Sequence, residues 1–442
     1  MRSTREQRGW YFYDWAAHGY VTVTVTVLFG PYLTSIANRA AGCVGSGICD
    51  RRLTILGIPI APGSLFFYTV TFSTLLSALL LPAIGALADR RGDRRRLLGR
   101  FAWIGSLAAG LMVFVSGTNW VLGALLLVIG NVALGASLVV YSAILIDIAP
   151  PDERDRVSSR GWSRGYAGGG LLLVASLLLV LKPSLLGIDT STAVRVSLLA
   201  AGLWWGLWTI IPYRVLHDGP RHPSGHSTVR ATVSQLATSL RDLRMYPQTG
   251  RFLAAYLFYN DGVQTVISAA SVFGAEQLGF STSSLVGAIV IVQIVAFAGA
   301  LLLGRRAGRR GAHRTIRDSL LLWVVAVGAG YFLPAHKLAP FLGLAVALGL
   351  VLGGTQALSR SLFSQLVPRG REAEYFSLYQ ACERGTSWLG TLVFGLVHQL
   401  TGSYRPAILS LVVFFVVGGL LLRRVDVRRG IVDAGNVVPN VV

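Results

Sequence analysis

The chain has 442 residues, of which 53% are hydrophobic and 14% are charged, and its mean hydropathy is +0.59. Soluble domains carry about 25% charged residues, so this composition excludes a row of ordinary soluble domains and predicts a multi-pass membrane protein. The net charge of +20 does not indicate a nucleic-acid partner, because the arginines cluster in short segments between apolar runs.

Apolar runs of about 20 residues, long enough to cross a bilayer, recur from one end of the chain to the other. The run that begins the series contains Val21–Val27, in which Val and Thr alternate as in a β-strand. We expect a helix there, because an isolated strand in lipid would leave its backbone groups without hydrogen bonds. The runs predict an all-α membrane protein with twelve transmembrane helices, near residues 11–36, 63–88, 97–117, 120–147, 160–181, 194–213, 251–274, 283–303, 316–334, 339–359, 375–398 and 405–422.

Most of the 40 basic residues, Arg360 among them, are assigned to loops on the side that carries the N-terminus. Short loops rich in Lys and Arg stay in the cytoplasm, so we expect both termini there and the protein in the cell membrane. The predicted organisation is an N-terminal six-helix bundle (1–213), a cytoplasmic linker with an amphipathic helix near 229–243 (214–250), a C-terminal six-helix bundle (251–424) and a cytoplasmic tail (425–442).

The cysteines and histidines of the loops do not predict a metal site. Cys43 and Cys49 share one outer loop, where the sequence is compatible with a disulfide or with two free thiols. The linker carries His217, His222 and His226 without cysteine or regular ligand spacing, so we interpret these residues as solvated. The sequence contains no phosphate-binding Gly-x-x-x-x-Gly-Lys loop either, and no cofactor is predicted.

The two halves of the chain share three short matches in the same order. They pair Gly85–Arg95 with Gly304–Arg314, Pro151–Arg154 with Pro368–Arg371, and Phe12–Asp14 with Phe258–Asn260. A common order indicates an internal repeat, with an extra outer loop at 38–62 in the first half. Six spans plus six related spans are typical of a secondary transporter whose substrate binds where the halves meet.

The stretch Gly85-x-Leu-Ala-Asp-Arg-x-Gly-x-Arg-Arg95 resembles the signature loop between spans two and three of the major facilitator superfamily. Within it, the chain is similar to the vacuole-effluxer (autophagy-related) branch, whose fungal members export amino acids. That similarity extends from span one to span eleven, in Tyr13–Ala16, Ala149–Arg154, Gly165–Gly170, Tyr259–Gln264, Gln356–Ser361 and Gly370–Glu374. The resemblance implies a twelve-helix alternating-access carrier of amino acids or similar small zwitterions.

The resemblance also implies a cytoplasmic gate. Asp89 would latch span two to span eleven in the outward-open state, with Arg94 and Asp147 completing a charge network. The second copy has Gly308 at the Asp89 position, so we do not expect a second latch. The remaining predicted gate residues have local roles: a close helix approach, a positive anchor and a tight turn at Gly85, Arg90 and Gly92, respectively.

Charged residues within apolar spans mark candidate sites, because each costs about 2.5–3.5 kcal/mol to insert. Asp261 lies ten residues beyond Arg251, hence about 15 Å along the helix and near the middle of the membrane. With Asn260 and Gln264 it predicts a site for a substrate amino group or a coupling proton. A structural bond from Asp261 to a neighbouring helix is the alternative.

Two further sets of residues extend this predicted site. Asp14 is the repeat counterpart in span one, beside Tyr13, and His18 lies one turn on, where it is able to bond Asp14. Stabilisation of the helix N-terminus is the alternative role of Asp14. Glu383 and Arg384 lie in span eleven, where Arg384 would hold a substrate carboxylate or phosphate, or else neutralise an aspartate structurally.

We therefore predict a secondary transporter with a small-molecule substrate, protons as a candidate coupling ion, and the lipid bilayer as its surroundings. A multidrug-type efflux carrier and a non-transporting membrane receptor are the alternatives. An enzyme is not expected, since the sequence shows no converging set of catalytic residues.

Overall fold

The computed structural model describes residues 3–43, 51–55, 57–218, 241–385 and 387–442. The described chain is almost wholly helical, as the apolar runs predicted. Its α-helices are α1 (Arg5–Tyr20), α2 (Phe29–Ala40), α3 (Leu65–Arg91), α4 (Arg94–Leu111), α5 (Trp120–Ile148), α6 (Arg154–Leu181), α7 (Thr190–Val215), α8 (Pro247–Val272), α9 (Thr282–Arg310), α10 (Ala312–Tyr331), α11 (Leu338–Leu366), α12 (Glu372–Gly385), α13 (Ser387–Thr401), α14 (Tyr404–Ser410), α15 (Val412–Arg423) and α16 (Val427–Asp433).

Nine helical segments of the described chain are long and apolar enough to cross a membrane. They are α1–α2, α3, α4, α5, α6, α7, α9, α11 and α14–α15. Three further predicted spans are also helical, as α8, α10 and α12–α13, but fall outside that set by length or composition. The helical membrane architecture is therefore established, and the twelve-span topology stays a prediction.

The segment Val21–Leu28 between α1 and α2 is helical, as expected, but it is wound as a π-helix. The hydroxyl of Thr26 donates to the carbonyl oxygen of Val21, five residues earlier (3.0 Å). A side-chain donor that bonds a helix carbonyl oxygen competes with the regular backbone N–H donor. This competition accompanies the wider winding of the stretch, which is rich in β-branched residues.

The predicted outer loop contains a short antiparallel hairpin. Strand β1 (Leu53–Ile55) pairs with β2 (Ile58–Ile60). Cys43 takes part in a disulfide bond, while Cys49 lies outside the described residues.

Contacts divide the chain into two compact units. Unit 1 comprises Met1–Ser77, Arg95–Leu138 and Ala167–Asp218, and unit 2 comprises Ala78–Arg94, Val139–Tyr166 and Gly219–Val442. In unit 1, α1 packs on α7 through aromatic pairs: the rings of Trp15 and Trp204 stack at 5.4 Å, and those of Tyr20 and Trp205 at 5.0 Å. Tyr20 and Trp205 are fully buried, and packed aromatic rings contribute much apolar area, so these pairs stabilise the unit.

In unit 2, α9 packs along α11 and α8 packs along α15. The rings of Trp323 on α10 and Phe415 on α15 stack at 5.1 Å and join these pairs. The tail after α15 also packs on this unit: Asn436 donates to the carbonyl oxygens of Gln365 (2.9 Å) and Val367 (2.7 Å), at the end of α11. These bonds satisfy acceptors that a helix end leaves open.

Several arginines assigned to loops from the sequence lie on helices, and Arg360 is one of them. Arg360 lies within α11 rather than in a cytoplasmic loop, and only 4% of it is exposed. Hydrogen bonds and aromatic rings surround its guanidinium, so the cost of burying the charge is offset. The predicted amphipathic helix near 229–243, together with His222 and His226, lies almost entirely outside the described residues, whereas the described His217 contacts Glu6 (2.5 Å).

Candidate functional site

Asp89, at the last turn of α3, binds the N-terminal end of α12. Its Oδ1 accepts the main-chain N–H of Ala373 and its Oδ2 that of Glu374, both at 2.9 Å. The first N–H groups of a helix have no acceptor within it and carry partial positive charge. A carboxylate supplied by another helix therefore caps α12 from outside, and 284 residues separate Asp89 from Ala373 in the chain.

Arg94, at the start of α4, joins three carboxylates around this cap. Its Nη1 donates to both oxygens of Asp147 (3.0 and 2.8 Å), and its Nη2 donates to Asp89 (2.8 Å) and Glu372 (2.9 Å). Asp89 and Arg94 are 6% and 5% exposed, so screening by solvent is weak here. Arg154, whose Nη1 donates to the carbonyl oxygen of Ser364 (2.9 Å), brings a second positive charge to the cluster.

Two glycines of the signature loop have distinct steric roles. A Cβ on Gly85 would overlap the carbonyl oxygen of Ala373, so α3 approaches the start of α12 backbone to backbone. Gly92 has φ +65°, a left-handed conformation that favours glycine, and it ends α3 so that Arg94 returns toward Asp89. Arg90 is half-buried beside them.

Arg371, the residue immediately before α12, extends the charged cluster. It donates to Glu374 through two nitrogens (2.6 and 2.9 Å) and pairs with Asp242 (2.9 Å). Hydrogen bonding to Glu374, followed by the charge of Glu374 and hydrogen bonding to Asp242, holds the pKa of Arg371 above its ordinary value against the opposing effect of burial. The start of α12 is thus enclosed by ion pairs.

A second buried contact, between α6 and α11, was not foreseen from the sequence. Asp155 accepts the hydroxyl of Ser361 (2.5 Å), and the hydroxyl of Ser158 donates to the carbonyl oxygen of Ala357 (2.7 Å). Arg360 donates to the hydroxyl (3.0 Å) and the carbonyl oxygen (3.2 Å) of Ser158. Its guanidinium also lies over two rings, at 5.2 Å from the ring centre of Tyr141 and 5.5 Å from that of Trp162.

The signals for these missed residues were present in the stretches that carry the family resemblance. Glu372 lies in Gly370–Glu374 and Arg360 in Gln356–Ser361. Their chemistry depends on partners about 200 or more residues away in the chain, so the stretches alone gave no role to either side chain.

Asn260 and Glu383, two of the predicted site residues, take part in a polar chain across three helices of unit 2. Asn260 on α8 donates through Nδ2 to the carbonyl oxygen of Glu383 on α12 (3.0 Å). Its Oδ1 accepts Nε2 of Gln356 on α11 (2.8 Å). The carboxylate of Glu383 accepts Nε2 of Gln380 (2.7 Å). Asn260 and Gln356 are 0% and 3% exposed, so the amide groups fix one another within an apolar surrounding.

Asp261, the next residue on α8, faces the start of α13. Its Oδ2 accepts the N–H of Gly390 (2.9 Å), the fourth residue of that helix. Its Oδ1 is buried without a hydrogen-bond partner among the described residues, and so is the hydroxyl of Thr265 one turn on. The carboxylate thus caps a neighbouring helix, as the structural alternative proposed, and keeps an open acceptor oxygen beside a hydroxyl.

The other predicted substrate-site residues are distributed over α1, α8 and α12. Tyr13, Asp14 and His18 lie on α1 in unit 1, where Tyr13 and Asp14 are buried; Nδ1 of His18 bonds the main-chain oxygen of Asp14 (2.9 Å). Gln264 on α8 is half-buried. Arg384 follows Glu383 on α12, and its side chain lies outside the described part of the chain.

Comparisons with known proteins show which family the chain resembles. A family model described as vacuole effluxer Atg22-like matches residues 2–435. The chain is 29% identical over 424 residues to the uncharacterized MFS-type transporter YxiO of Bacillus subtilis (strain 168), and the match covers 95% of each chain.

Solved structures of membrane transporters share the fold of this chain. The human organic anion transporter MFSD10 aligns with a TM-score of 0.68 and 16% identity, over 95% of this chain and 99% of that one. The E. coli fucose:proton symporter FucP aligns with a TM-score of 0.66 and 14% identity, over 95% of this chain and 97% of the symporter.

Proposed function

Because this chain belongs to the vacuole effluxer Atg22-like family of major facilitator transporters, we propose that it moves amino acids or similar small zwitterions by alternating access. It is a multi-pass membrane transporter with a small-molecule substrate. Beyond this, we propose the substrate class, coupling of transport to protons, and an architecture of two six-helix bundles with cytoplasmic termini. We also propose that the protein lies in the cell membrane. The description of the matched family as vacuole effluxers supports a carrier that moves small solutes across a membrane.

The observation that carries the proposal is the open oxygen of Asp261. This carboxylate is fully buried, and one of its oxygens is already held by Gly390. An acceptor buried without a donor costs free energy, so such an atom is usually kept for a ligand or a proton. An ammonium group supplies both the donor and the charge that Asp261 Oδ1 lacks.

Arg384 has the chemistry to bind the other end of an amino acid. Arg384 follows Glu383, whose carbonyl oxygen bonds Asn260 beside Asp261. A guanidinium binds a carboxylate through two parallel hydrogen bonds, so we assign the substrate carboxylate to Arg384 and the ammonium to Asp261. Protonation of Asp261 would remove its negative charge and release the substrate ammonium. A proton would thereby be exchanged for the substrate.

Alternation of access needs a gate that opens and closes, and we assign the cytoplasmic gate to Asp89 and Arg94. Their bonds to the start of α12 and to Glu372 are buried and charge-assisted. In our proposal these bonds hold the cytoplasmic ends together while the other side is open, and they break when the site turns inward.

The experiment is solute exchange in proteoliposomes across an amino-acid panel, with and without a pH gradient. We expect saturable exchange of at least one amino acid by the native chain. Asp261→Asn should lower that exchange at least about tenfold, since the charged contact to the ammonium is lost, and should abolish its response to the gradient.

Asp189→Asn is the matched control. Asp189 is an exposed N-cap of α7, and asparagine caps helices as well as aspartate does, so transport should stay unchanged. Exchange of hydrophobic cations instead of amino acids would favour a multidrug carrier, and no movement of any solute would favour a receptor. Normal coupled exchange by Asp261→Asn would remove Asp261 from the site.

A further inference from the structure

Six arginines surround the junction between α9 and α10 in unit 2. They form the arginine patch, which consists of Arg305, Arg306, Arg309, Arg310, Arg314 and Arg317. Within α9 the side chains recur at the i,i+4 spacing that places them on neighbouring turns of one surface. Two adjoining surface cavities, of about 370 and 440 Å³, are lined by these residues and share Arg310.

The patch carries far more positive than negative charge. Arg306 forms an ion pair with Asp318, and in the part of the chain that the structure describes no other patch arginine is in an ion pair. The Nε atoms of Arg306 and Arg317 are buried without a hydrogen-bond partner among the described residues. Arg305, Arg309, Arg310 and Arg314 are exposed, so their guanidinium groups have donors available for an anionic ligand.

The first copy of the repeat uses its arginines differently. Arg94 binds three carboxylates, and Arg95 and Arg96 both lie near Asp218, at 3.6 and 3.9 Å. In the second copy Gly308 takes the place of Asp89. The acids that pair with the first set are thus largely missing from the second, and four of its six arginines are exposed.

The surroundings of the patch are apolar on the side away from the junction. Leu302 lines the same cavity as Arg305 and Arg306 and is 51% exposed. On α10, Leu321 is 65% exposed, one turn beyond Arg317. Exposed leucines beside a row of arginines match the boundary between the acyl chains and the headgroups of a bilayer.

We propose that the arginine patch binds the headgroup of an anionic phospholipid. A phosphate accepts bidentate hydrogen bonds from guanidinium groups, and the lipid's acyl chains cover Leu302 and Leu321. Inorganic phosphate would engage the arginines and leave the leucines in water, so the apolar neighbours favour the lipid as the source of the phosphate. This assignment is independent of the transported substrate.

The test titrates the purified full chain with phosphatidylglycerol, phosphatidylcholine and inorganic phosphate, and follows bound lipid by native mass spectrometry. The native chain should bind phosphatidylglycerol at least about 100-fold more tightly than phosphatidylcholine, because each surface arginine adds roughly a fivefold preference for an anionic headgroup. The variant R309Q/R310Q/R314Q should lose on the order of 100-fold in that affinity by the same rule.

A charge-matched control removes three exposed arginines elsewhere in unit 2, as R423Q/R424Q/R428Q. Its affinity for phosphatidylglycerol should stay close to that of the native chain if the patch is a site, and should fall as far as that of the patch variant if only net charge matters. The latter result would overturn the proposal.

Two further outcomes would also overturn it. One is equal affinity of the native chain for phosphatidylglycerol and phosphatidylcholine, a result that does not depend on any variant folding. The other is displacement of phosphatidylglycerol by inorganic phosphate at comparable concentration, which would make free phosphate the ligand. The patch variants replace exposed side chains, so a thermal unfolding curve like that of the native chain is expected.

Discussion

The carboxylate of Asp89 accepts the main-chain N–H of Ala373 at the first turn of α12, 2.9 Å away. Asp89 lies at the C-terminal end of α3, where the helix dipole disfavours a negative charge. The start of α12 favours one, and Arg94 adds a full positive charge at 2.8 Å. The cost at the end of one helix is therefore offset at the beginning of another.

Removal of this cap should open the first turn of α12. In Asp89→Ala the N–H groups of Ala373 and Glu374 lose their acceptors, and amide hydrogen exchange over residues 372–376 should be about ten- to a hundredfold faster, as expected for loss of charge-assisted hydrogen bonds. Mass spectrometry of that peptide measures the effect. Asp93→Asn, four residues along the chain, should exchange like the native protein; equal rates in Asp89→Ala would contradict the cap.

Gly85 and Gly308 provide a matched pair of substitutions. Gly85→Ala places a methyl group against the carbonyl oxygen of Ala373, so the helices must separate, and we expect a loss of about 1–3 kcal/mol of stability. Gly308→Ala meets no atom within 4 Å, and should gain up to about 1 kcal/mol from helix propensity. Thermal unfolding in detergent measures both. Equal effects of the two changes would show that the contact at Gly85 is unimportant.

Asn260 and Gln356 should be energetically coupled. Either side chain, when truncated to alanine, leaves the other amide buried without its partner at 2.8 Å, which costs about 1–3 kcal/mol. The double variant should cost less than the sum of the single ones, with an interaction energy of about 0.5–3 kcal/mol in a double-mutant cycle. Strict additivity would indicate that the amides act separately.

Arg360 should not be replaceable by lysine. Its guanidinium donates from two nitrogens to Ser158 while stacked over Tyr141 and Trp162, and an ammonium does not reproduce that planar arrangement. Arg360→Lys should lower thermal stability by about 2–4 kcal/mol, as expected when a buried charged network is disturbed. Arg305→Lys, on an exposed position of α9, should change it by less than about 0.5 kcal/mol. Equal stability of the two variants would refute a special role for Arg360.

The fold class and the family could be predicted from local sequence, because each depends on contiguous residues. Apolar runs predict membrane helices without knowledge of any partner, and Gly85–Arg95 is a single uninterrupted signature. The π-helical winding at Val21–Leu28 was not accessible, since composition predicts a helix but not which carbonyl each donor selects.

In the candidate site, too, some features were accessible from the sequence and others depended on the tertiary structure. The sequence by itself determined that Asn260 and Asp261 are polar groups in costly places, because transfer into an apolar span is unfavourable for each residue alone. The gate roles of Asp89, Arg94 and Asp147 came instead from the family resemblance. Only the tertiary structure decided which groups offset that cost: the N–H of Gly390 for Asp261, Glu372 and the start of α12 for Asp89 and Arg94, and Ser158 for Arg360. Burial of a polar group depends on partners brought together by helix packing, whereas the preference of a segment for lipid is a sum over its own residues.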